Sequence, residues 1–513
     1  MIPLFTPDGV RAMDARAFHR GISSAALMER AAGHLARGVV TLAGYVYGLQ
    51  VGILAGKGNN GGDGIAAARR LVDMGAAPIV HLVGGIQALS EDGVRELRAY
   101  RAAGGRMAGS IDAALERADI AVDCLLGTGA RGELRSPLKE AAQALNARVA
   151  GVRGGEPQVN RLPVVACDLP SGVDADTGRV PGVAVRADLT VTLGAHKRGL
   201  WLWPARGHCG HLMLGELGIV EPGDEPDARV LEAFDVAALV PPPSLEDHKR
   251  TRGVVVVLAG SPGMTGAAVL VARGAFAAGA GLVTVVTGEV EVVSAAVPEA
   301  LTAKMDMADP DAAFGVLTRR LESADALAVG PGLGHDESAV ALVRRIVREV
   351  ELPIVLDADG INAFRHDGEA LAEHAAPLLV LTPHAREFAR LVQSSGHGVW
   401  AQRVALVPEK AKAWRTVLVA KGPGTMIAAP DGRVWVNPTG SAALATGGTG
   451  DVLTGLTATL VAQRPEPDSV AAAVWLHGAA GDAAEARLTA RPVTALDVAA
   501  AVPDALRYLD EAR

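Results

Sequence analysis

Aromatic residues make up only 3% of this 513-residue chain, and cysteine occurs three times. A core with so few rings must be built from Val, Leu, Ile and Ala packed closely on strands and helices, which suits α/β layering. Cys124, Cys167 and Cys209 are odd in number, far apart and without a C-x-x-C pair, which argues against a disulfide framework and a zinc site. Cys124 and Cys167 lie in strand-like runs and read as small buried hydrophobes. Basic excess is also lacking. The formal charge is −8, which offers no broad footprint for nucleic acid or an anionic membrane surface. The opening "MIPLFTPDGVRAMD" has no apolar signal core. A charge-free run from Gly253 to Ala272 has the length of a membrane span, but "AGSPGMTGA" in its middle reads as strand, loop and helix. The expectation is a cytoplasmic protein with neither a nucleic-acid nor a membrane partner.

Apolar residues are plentiful, at 49%, and the chain is long enough for two domains. The first half carries short β-branched runs, "QVGILAG", "APIVHLVG", "DIAVDCLLG", "LPVVACDLPSG" and "DLTVTLG", with helix-like stretches such as Asp63–Met74 and Ser136–Ala147 between them. That alternation predicts βαβ crossovers and a parallel sheet. Gly151 to Asn160 has no apolar periodicity and reads as an exposed loop. A Pro, Gly and acidic cluster, "GIVEPGDEPDARV", marks a domain break. The pattern then restarts with "GVVVVLAG", "GLVTVVTG", "DALAVGPGLG", "PIVLDADG", "PLLVLTPH" and "TVLVAKGPG". In "MIAAPDGRVWVN", Asp431-Gly432 is expected to supply the positive φ angles of a tight hairpin turn. Helices should close the chain.

"LAGKGNNGGDG", Leu54 to Gly64, contains a literal G-x-G-x-x-G at Gly56, Gly58 and Gly61. A dinucleotide fingerprint would also need an acidic residue ending the next strand, and "PIVHLVGG" has none. Asp63 is expected at the helix start, where a carboxylate caps the amides and repels phosphate. The loop therefore reads as one that holds its ligand through Asn amides and one carboxylate, the glycines permitting close approach. Asp123 ends another strand before the Gly-rich "GTGARGEL", and Asp168 ends a third in "CDLPSGVDADTG". Parallel sheets bind ligands beyond the carboxyl ends of their strands, so Asn60, Asp63, Asp123, Asp168 and Ser171 are expected to converge. Their oxygens suit a hard cation, monovalent given so few carboxylates. Taken singly, Asp63 also reads as a helix cap and Asp168 as a turn former.

In the second half, "GGTGD", Gly447 to Asp451, opens a predicted helix. Bare glycine amides at a helix N-terminus stabilise charge on a phosphoryl group in transit, and Asp451 is placed to abstract a hydroxyl proton. That is the anion-hole and base logic of the ribokinase-like fold. Lys421 also reads as a solvated strand-end charge, and His384, after Pro383, as a helix-start residue.

Two resemblances sharpen these readings. "GISSAALMERAA", "GKGNNGGDG", "DCLLGTGARGEL" and "DLPSGVDADTG" together resemble the NAD(P)H-hydrate epimerase family over about the first 220 positions. The resemblance implies a Rossmann-like three-layer α/β/α domain acting on NAD(P)H that carries a hydroxyl on its reduced ring. It implies potassium at Asn60, Asp123 and Ser171, substrate contacts at Asn59, Asn60, Gly61, Gly62 and Asp63, at Gly127, Thr128, Gly129, Ala130, Arg131, Gly132 and Glu133, and at Asp168. Asp168 is taken as the acid/base group, because interconverting hydroxyl epimers requires proton transfer. "LAGSPGMTGA", "ALAVGPGLG", "VLDADGINAF", "LTPHAREFARL", "VAKGPGT" and "NPTGSAALATGGTGD" resemble the ADP- or ATP-dependent NAD(P)H-hydrate dehydratases, a ribokinase-like branch, over roughly residues 240 to 505. Here the resemblance implies that Lys421, Gly422, Pro423, Gly424, Thr425 and Gly450 hold the nucleotide. Ala267, Gly332, Gly334, His384 and Asp451 would face the hydrated nicotinamide, with magnesium accompanying ADP.

The expected organisation is an epimerase domain over residues 1–222, a linker over 223–240 and a ribokinase-like dehydratase domain over 241–513. Two departures from the family pattern stand out: Arg250 in "DHKRTRG", where glycine is common, and Ala385-Arg386 in "PHAREF", where Pro-Gly is more usual. Members of the family often assemble, so a homo-oligomer is expected. The competing reading is a ribokinase-like kinase of a small alcohol, of the hydroxymethylpyrimidine or thiazole type, preceded by a non-catalytic binding domain.

Overall fold

The computed structural model describes residues 1–149, 152–153, 156–157 and 162–513. Most of the expected loop from Gly151 to Asn160 lies outside the described residues. The chain divides into two units, Pro3–Ala228 and Arg229–Arg513, the latter grouped with Met1–Ile2.

In the first unit seven strands form a sheet whose order is His211–Gly215, Leu189–Leu193, Val164–Cys167, Ile120–Cys124, Gln50–Ala55, Ala77–Leu82 and Arg106–Met107. Every neighbouring pair is parallel. The strands buried on both faces read as unbroken apolar runs, as a helix-covered parallel sheet requires. Gln50–Ala55 comes first in the chain but sits inside the sheet; later strands extend from it on one side, then from Ile120–Cys124 on the other. The crevice at this switch of direction is where such sheets bind ligands.

The same logic governs the second unit. Here the order runs Val434–Val436, Met426–Ala428, Val417–Ala420, Leu379–Leu381, Ile354–Leu356, Ala326–Val329, Val254–Leu258, Leu282–Thr287 and Leu301–Lys304. Its switch lies between Val254–Leu258 and Ala326–Val329, two parallel neighbours. Met426–Ala428 and Val434–Val436 form the expected antiparallel hairpin, but its turn differs from the two-residue form. The loop is closed by Gly432 N donating to Ala429 O at 3.1 Å, and only Gly432, with φ +96°, is left-handed. Proline's φ near −65° suits the first corner, Pro430, of the four-residue turn Ala429–Gly432, and Asp431 is spared a positive angle.

Small residues let two helices of this unit approach closely. A Cβ on Gly455, in the helix Thr449–Gln463, would fall 2.0 Å from the carbonyl oxygen of Val271 in the helix Thr265–Ala277. Thr459 Oγ1 donates to Ala275 O across the same seam at 3.1 Å. Gly455→Ala is therefore expected to force the helices apart at a cost of about 1–3 kcal/mol or more, read as a lower melting temperature; an unchanged melting curve would contradict this packing. Among the described residues no helix is long and apolar enough to cross a membrane.

Candidate functional sites

The strand Gln50–Ala55 ends in a turn so tight that a Cβ on Gly56 would lie 2.0 Å from Leu125 O. The helix Gly58–Asp73 then starts at once, with Lys57 as its N-cap and no side-chain cap. Asp63 is thus in the second turn, not at the start, and does not cap the helix. The glycines of the motif are the helix's own first turns: Gly62 packs where a Cβ would sit 2.7 Å from Met28 Cε, and Gly61 where one would sit 2.2 Å from Gly56 O.

A cavity of about 620 Å³ opens beside this helix, within the size range of small-molecule sites. Asn59, Asn60, Asp63, Gly127, Thr128, Gly129, Ala130 and Asp168 all line it. Gly61 and Gly62 are buried in helix packing and do not, and Arg131, Gly132 and Glu133 are not in its wall. Asp14 and Lys197, which the motifs did not single out, are. Asp168 follows the strand Val164–Cys167 in a left-handed conformation, φ +69°. Its Oδ1 accepts from Lys197 Nζ and, at 3.2 Å, from Leu193 N. Burial, followed by the nearby charges of Asp168 and Asp14, pushes Asp63 well above the usual carboxylate range. Asp14 is also raised, chiefly by burial.

Asp123 and Ser171 form a buried pair. Ser171 Oγ donates to Asp123 Oδ1 at 2.7 Å, and Ser171 N to Oδ2 at 2.8 Å. Leu126 N donates to Ser171 Oγ at 3.0 Å, so the pair also shapes the turn into the Gly127 loop. Burial pushes Asp123 up to about 6 against the pull of the hydrogen bonds from Ser171 and Leu125. Asn60 is 7% exposed, and neither its Oδ1 nor its Nδ2 has a partner. Unpartnered buried amide groups are costly. An orphaned amide oxygen and a buried carboxylate bonded only to neutral donors are the kinds of oxygen donor that a monovalent cation takes.

The second unit gathers its groups around the start of the helix Thr449–Gln463, whose N-cap Gly448 is left-handed at φ +89°. Lys421 Nζ donates to Asp357 Oδ1 at 2.8 Å, and Thr454 Oγ1 to Asp357 Oδ2 at 2.7 Å. Lys421 is therefore not a solvated strand-end charge. Burial disfavours its ammonium, but Asp357, Glu387 and Asp451 outweigh that and raise its pKa. A Cβ on Gly450 would lie 3.3 Å from Lys421 Nζ, which brings the proposed nucleotide residues together. The loop that follows closes on itself, Thr425 Oγ1 donating to Gly422 O at 2.9 Å. Asp451 stands outside the Lys421 pair. Burial, then the charge of Asp357, pushes it up to about 7, against the pull of Lys421.

His384 is bridged in parallel to Lys421, and its Nδ1 accepts from Arg386 N and Glu387 N at 3.1 and 3.2 Å. It caps the helix Ala385–Leu391 in a capping box with Glu387, whose Oε1 lies 3.5 Å from His384 Nε2. Ala267 and Gly332 are neighbours, a Cβ on Gly332 falling 3.0 Å from that of Ala267, and Gly334 N donates to Asp359 Oδ2 at 2.9 Å. His477, buried and pushed down to about 4, hydrogen-bonds through Nε2 to Thr449 O at 2.9 Å and steadies the glycine-rich turn. Asp357, Glu387, Thr454 and His477 were not legible as site residues, although Asp357 and Glu387 lie inside quoted motifs.

The first site joins a parallel-sheet cavity to a set of carboxyls, and the second joins a glycine-rich helix start to a carboxyl raised to about 7: the pairing of an epimerase unit with a ribokinase-like dehydratase unit. The YjeF-related protein N-terminus family matches residues 24–199, and the NAD(P)H-hydrate dehydratase family matches residues 255–504. The bifunctional NAD(P)H-hydrate repair enzyme Nnr of Moorella thermoacetica is 37% identical, with 96% of this chain and 94% of that one covered. Its counterpart in Salinibacter ruber is 35% identical over 98% and 95%. A Bacillus subtilis ADP/ATP-dependent NAD(P)H-hydrate dehydratase, co-crystallized with ATP/Mg2+, is 31% identical over 54% of this chain and 97% of that one, with a TM-score of 0.47. The chain belongs to the family of bifunctional NAD(P)H-hydrate repair enzymes, with an epimerase and a dehydratase domain.

Proposed function

We propose that this chain restores hydrated NAD(P)H in two steps, interconverting the R and S hydrates in the first unit and dehydrating the S form in the second with ADP as phosphoryl donor. The observation that carries the reading is Asp451: a carboxyl pushed up to about 7 at a bare helix N-terminus, near the half-buried Lys421. A group with a pKa near the working pH is the most effective general base.

Hydroxide is a poor leaving group. Asp451 takes the proton from the ring hydroxyl as its oxygen attacks the outermost phosphorus, while the amides at Gly448–Gly450 and the ammonium of Lys421 stabilise the charge that develops. Phosphate then departs as the ring double bond re-forms. Magnesium, when bound with the nucleotide, offsets phosphate charge. In the first unit Asp168 relays the proton that epimerisation requires, and Asn60, Asp123 and Ser171 would hold potassium. Relatives spanning nearly the whole chain are repair enzymes, which favours this reading over a small-alcohol kinase.

The test is an assay of the intact chain on a mixture of both epimers, with ADP and ATP compared. Complete recovery of NADH absorbance with ADP, with AMP as co-product, is expected. Recovery that stops at the S fraction would remove the epimerase step, and a stable phosphorylated product without NADH would establish the kinase instead.

A further inference from the structure

Three carboxyls line the first cavity, Asp14 and Asp63 from two helices and Asp168 from the turn after a strand, together with three cationic side chains, Arg11, Lys57 and, from the strand His196–Lys197, Lys197. The neighbouring His196, pushed down to about 4 by burial and by Lys197, adds no charge at neutral pH. Lys197 is 1% exposed. Its Nζ has three protons and finds three acceptors: Asp168 Oδ1, Leu193 O at 2.5 Å and Thr192 Oγ1 at 3.3 Å. A buried ammonium so fully engaged has no donor left for a ligand. The two oxygens of Asp168 are consequently unlike each other. Oδ1 is occupied by Lys197 and Leu193 N, whereas Oδ2 lies 3.5 Å from where a Cβ on Gly127 would sit, beside the cavity-lining loop.

Resting on the epimerase reading above, we infer that Lys197 is a positioning residue that divides the carboxyls by role: it blocks Oδ1 of Asp168, presents Oδ2 as the proton acceptor, and leaves Asp63 as the proton donor. The elevated pKa of Asp63 agrees with its holding a proton. Chemistry supplies the need for both. Water adds to an enamine double bond at the carbon next to nitrogen, so the hydrate is a hemiaminal. Oδ2 takes the hydroxyl proton, the oxygen's electrons form C=O, the C–N bond breaks, and its electron pair takes the proton of Asp63 at the ring nitrogen. Rotation presents the other face of the aldehyde, and the reverse transfers close the ring with the hydroxyl inverted and both protons returned.

The experiment follows conversion of the purified R hydrate to S by chromatography, using the full chain without nucleotide, for the parent, Lys197→Met and Lys197→Arg. Lys197→Met is expected to lower kcat about 100-fold with KM within threefold. Lys197→Arg, which keeps the charge, should recover much of the rate. A Met variant with the parent's kcat, a loss confined to KM, or an Arg variant as slow as the Met variant overturns the inference. Should Lys197→Met lack the parent's melting transition, Lys197→Gln is read by the same criteria. A parent that converts no R hydrate removes the epimerase reading itself, a result distinct from failure of the lysine's role.

Discussion

Asp451→Asn is expected to abolish recovery of NADH from the S hydrate, lowering kcat about 1,000-fold while R-to-S conversion by the same chain continues unchanged. General-base removal typically forfeits about 10²- to 10⁴-fold, and the loss should sit in the upper part of that range because an Asn side chain has no second route for the proton. The parent's kcat/KM, which reports the free enzyme, should rise with pH about a midpoint near 7, where Asp451 loses its proton. Stability carries the opposite sign. Asp451 is raised above its ordinary 3.8 in the fold, so the protonated form favours folding. That contribution is full below the ordinary value and is lost as pH rises through about 7. Replacing the carboxylate with a neutral amide should therefore raise the melting temperature at pH 8 and change it little at pH 4. A variant that keeps its activity, or a pH limb that survives the substitution, would move the base elsewhere.

The strands were the most legible part of the fold. Runs such as "VVVV" and "IAVDC" are buried on both faces, and such strands announce themselves without help from their surroundings. The edge strand Leu301–Lys304, half exposed and ending in lysine, has no such pattern and emerges only from its pairing with Leu282–Thr287. The start of the helix Gly58–Asp73 was misread for a related reason. Glycine disfavours helix by about 1 kcal/mol per residue, yet Gly61 and Gly62 are required by contacts with Gly56 and Met28, which local propensity does not record. Within the sites, residues with motif chemistry were legible and their partners were not. Lys197, between His196 and Arg198, resembles a solvated charge; its acceptors lie as far back as Asp168, 29 residues away. Asp357 meets Lys421 across 64 residues. A charge whose partner is distant in sequence looks exposed until the chain is folded.

The pair Asp357–Lys421 bears on stability and function separately, and the two can be dissected. The Asp357 side chain is 2% exposed. Burial acts to raise its pKa, but Lys421, with Thr454, reverses that and holds it below the usual carboxylate value. Lys421→Met removes the counter-charge and leaves the carboxylate stranded, a loss of about 3–5 kcal/mol for a broken buried pair. The parent's contribution from Asp357 is present above the ordinary carboxylate pKa and is lost on acidification. In the variant the stranded carboxyl is raised instead, so its destabilisation should be greater at pH 8 than at pH 5 in urea unfolding. Adding Asp357→Asn removes the stranded charge and retains an acceptor for Thr454. The double variant should regain most of the lost stability and lose the single variant's added sensitivity to pH over that range, giving a clear interaction term in the cycle. Dehydratase turnover should stay low in the double variant if, as proposed, the ammonium beside Gly450 stabilises the phosphoryl group in transit. If stability and turnover returned together, Lys421 would be only a scaffold for the helix start; if neither returned, the pair would not be the interaction that sustains this part of the fold.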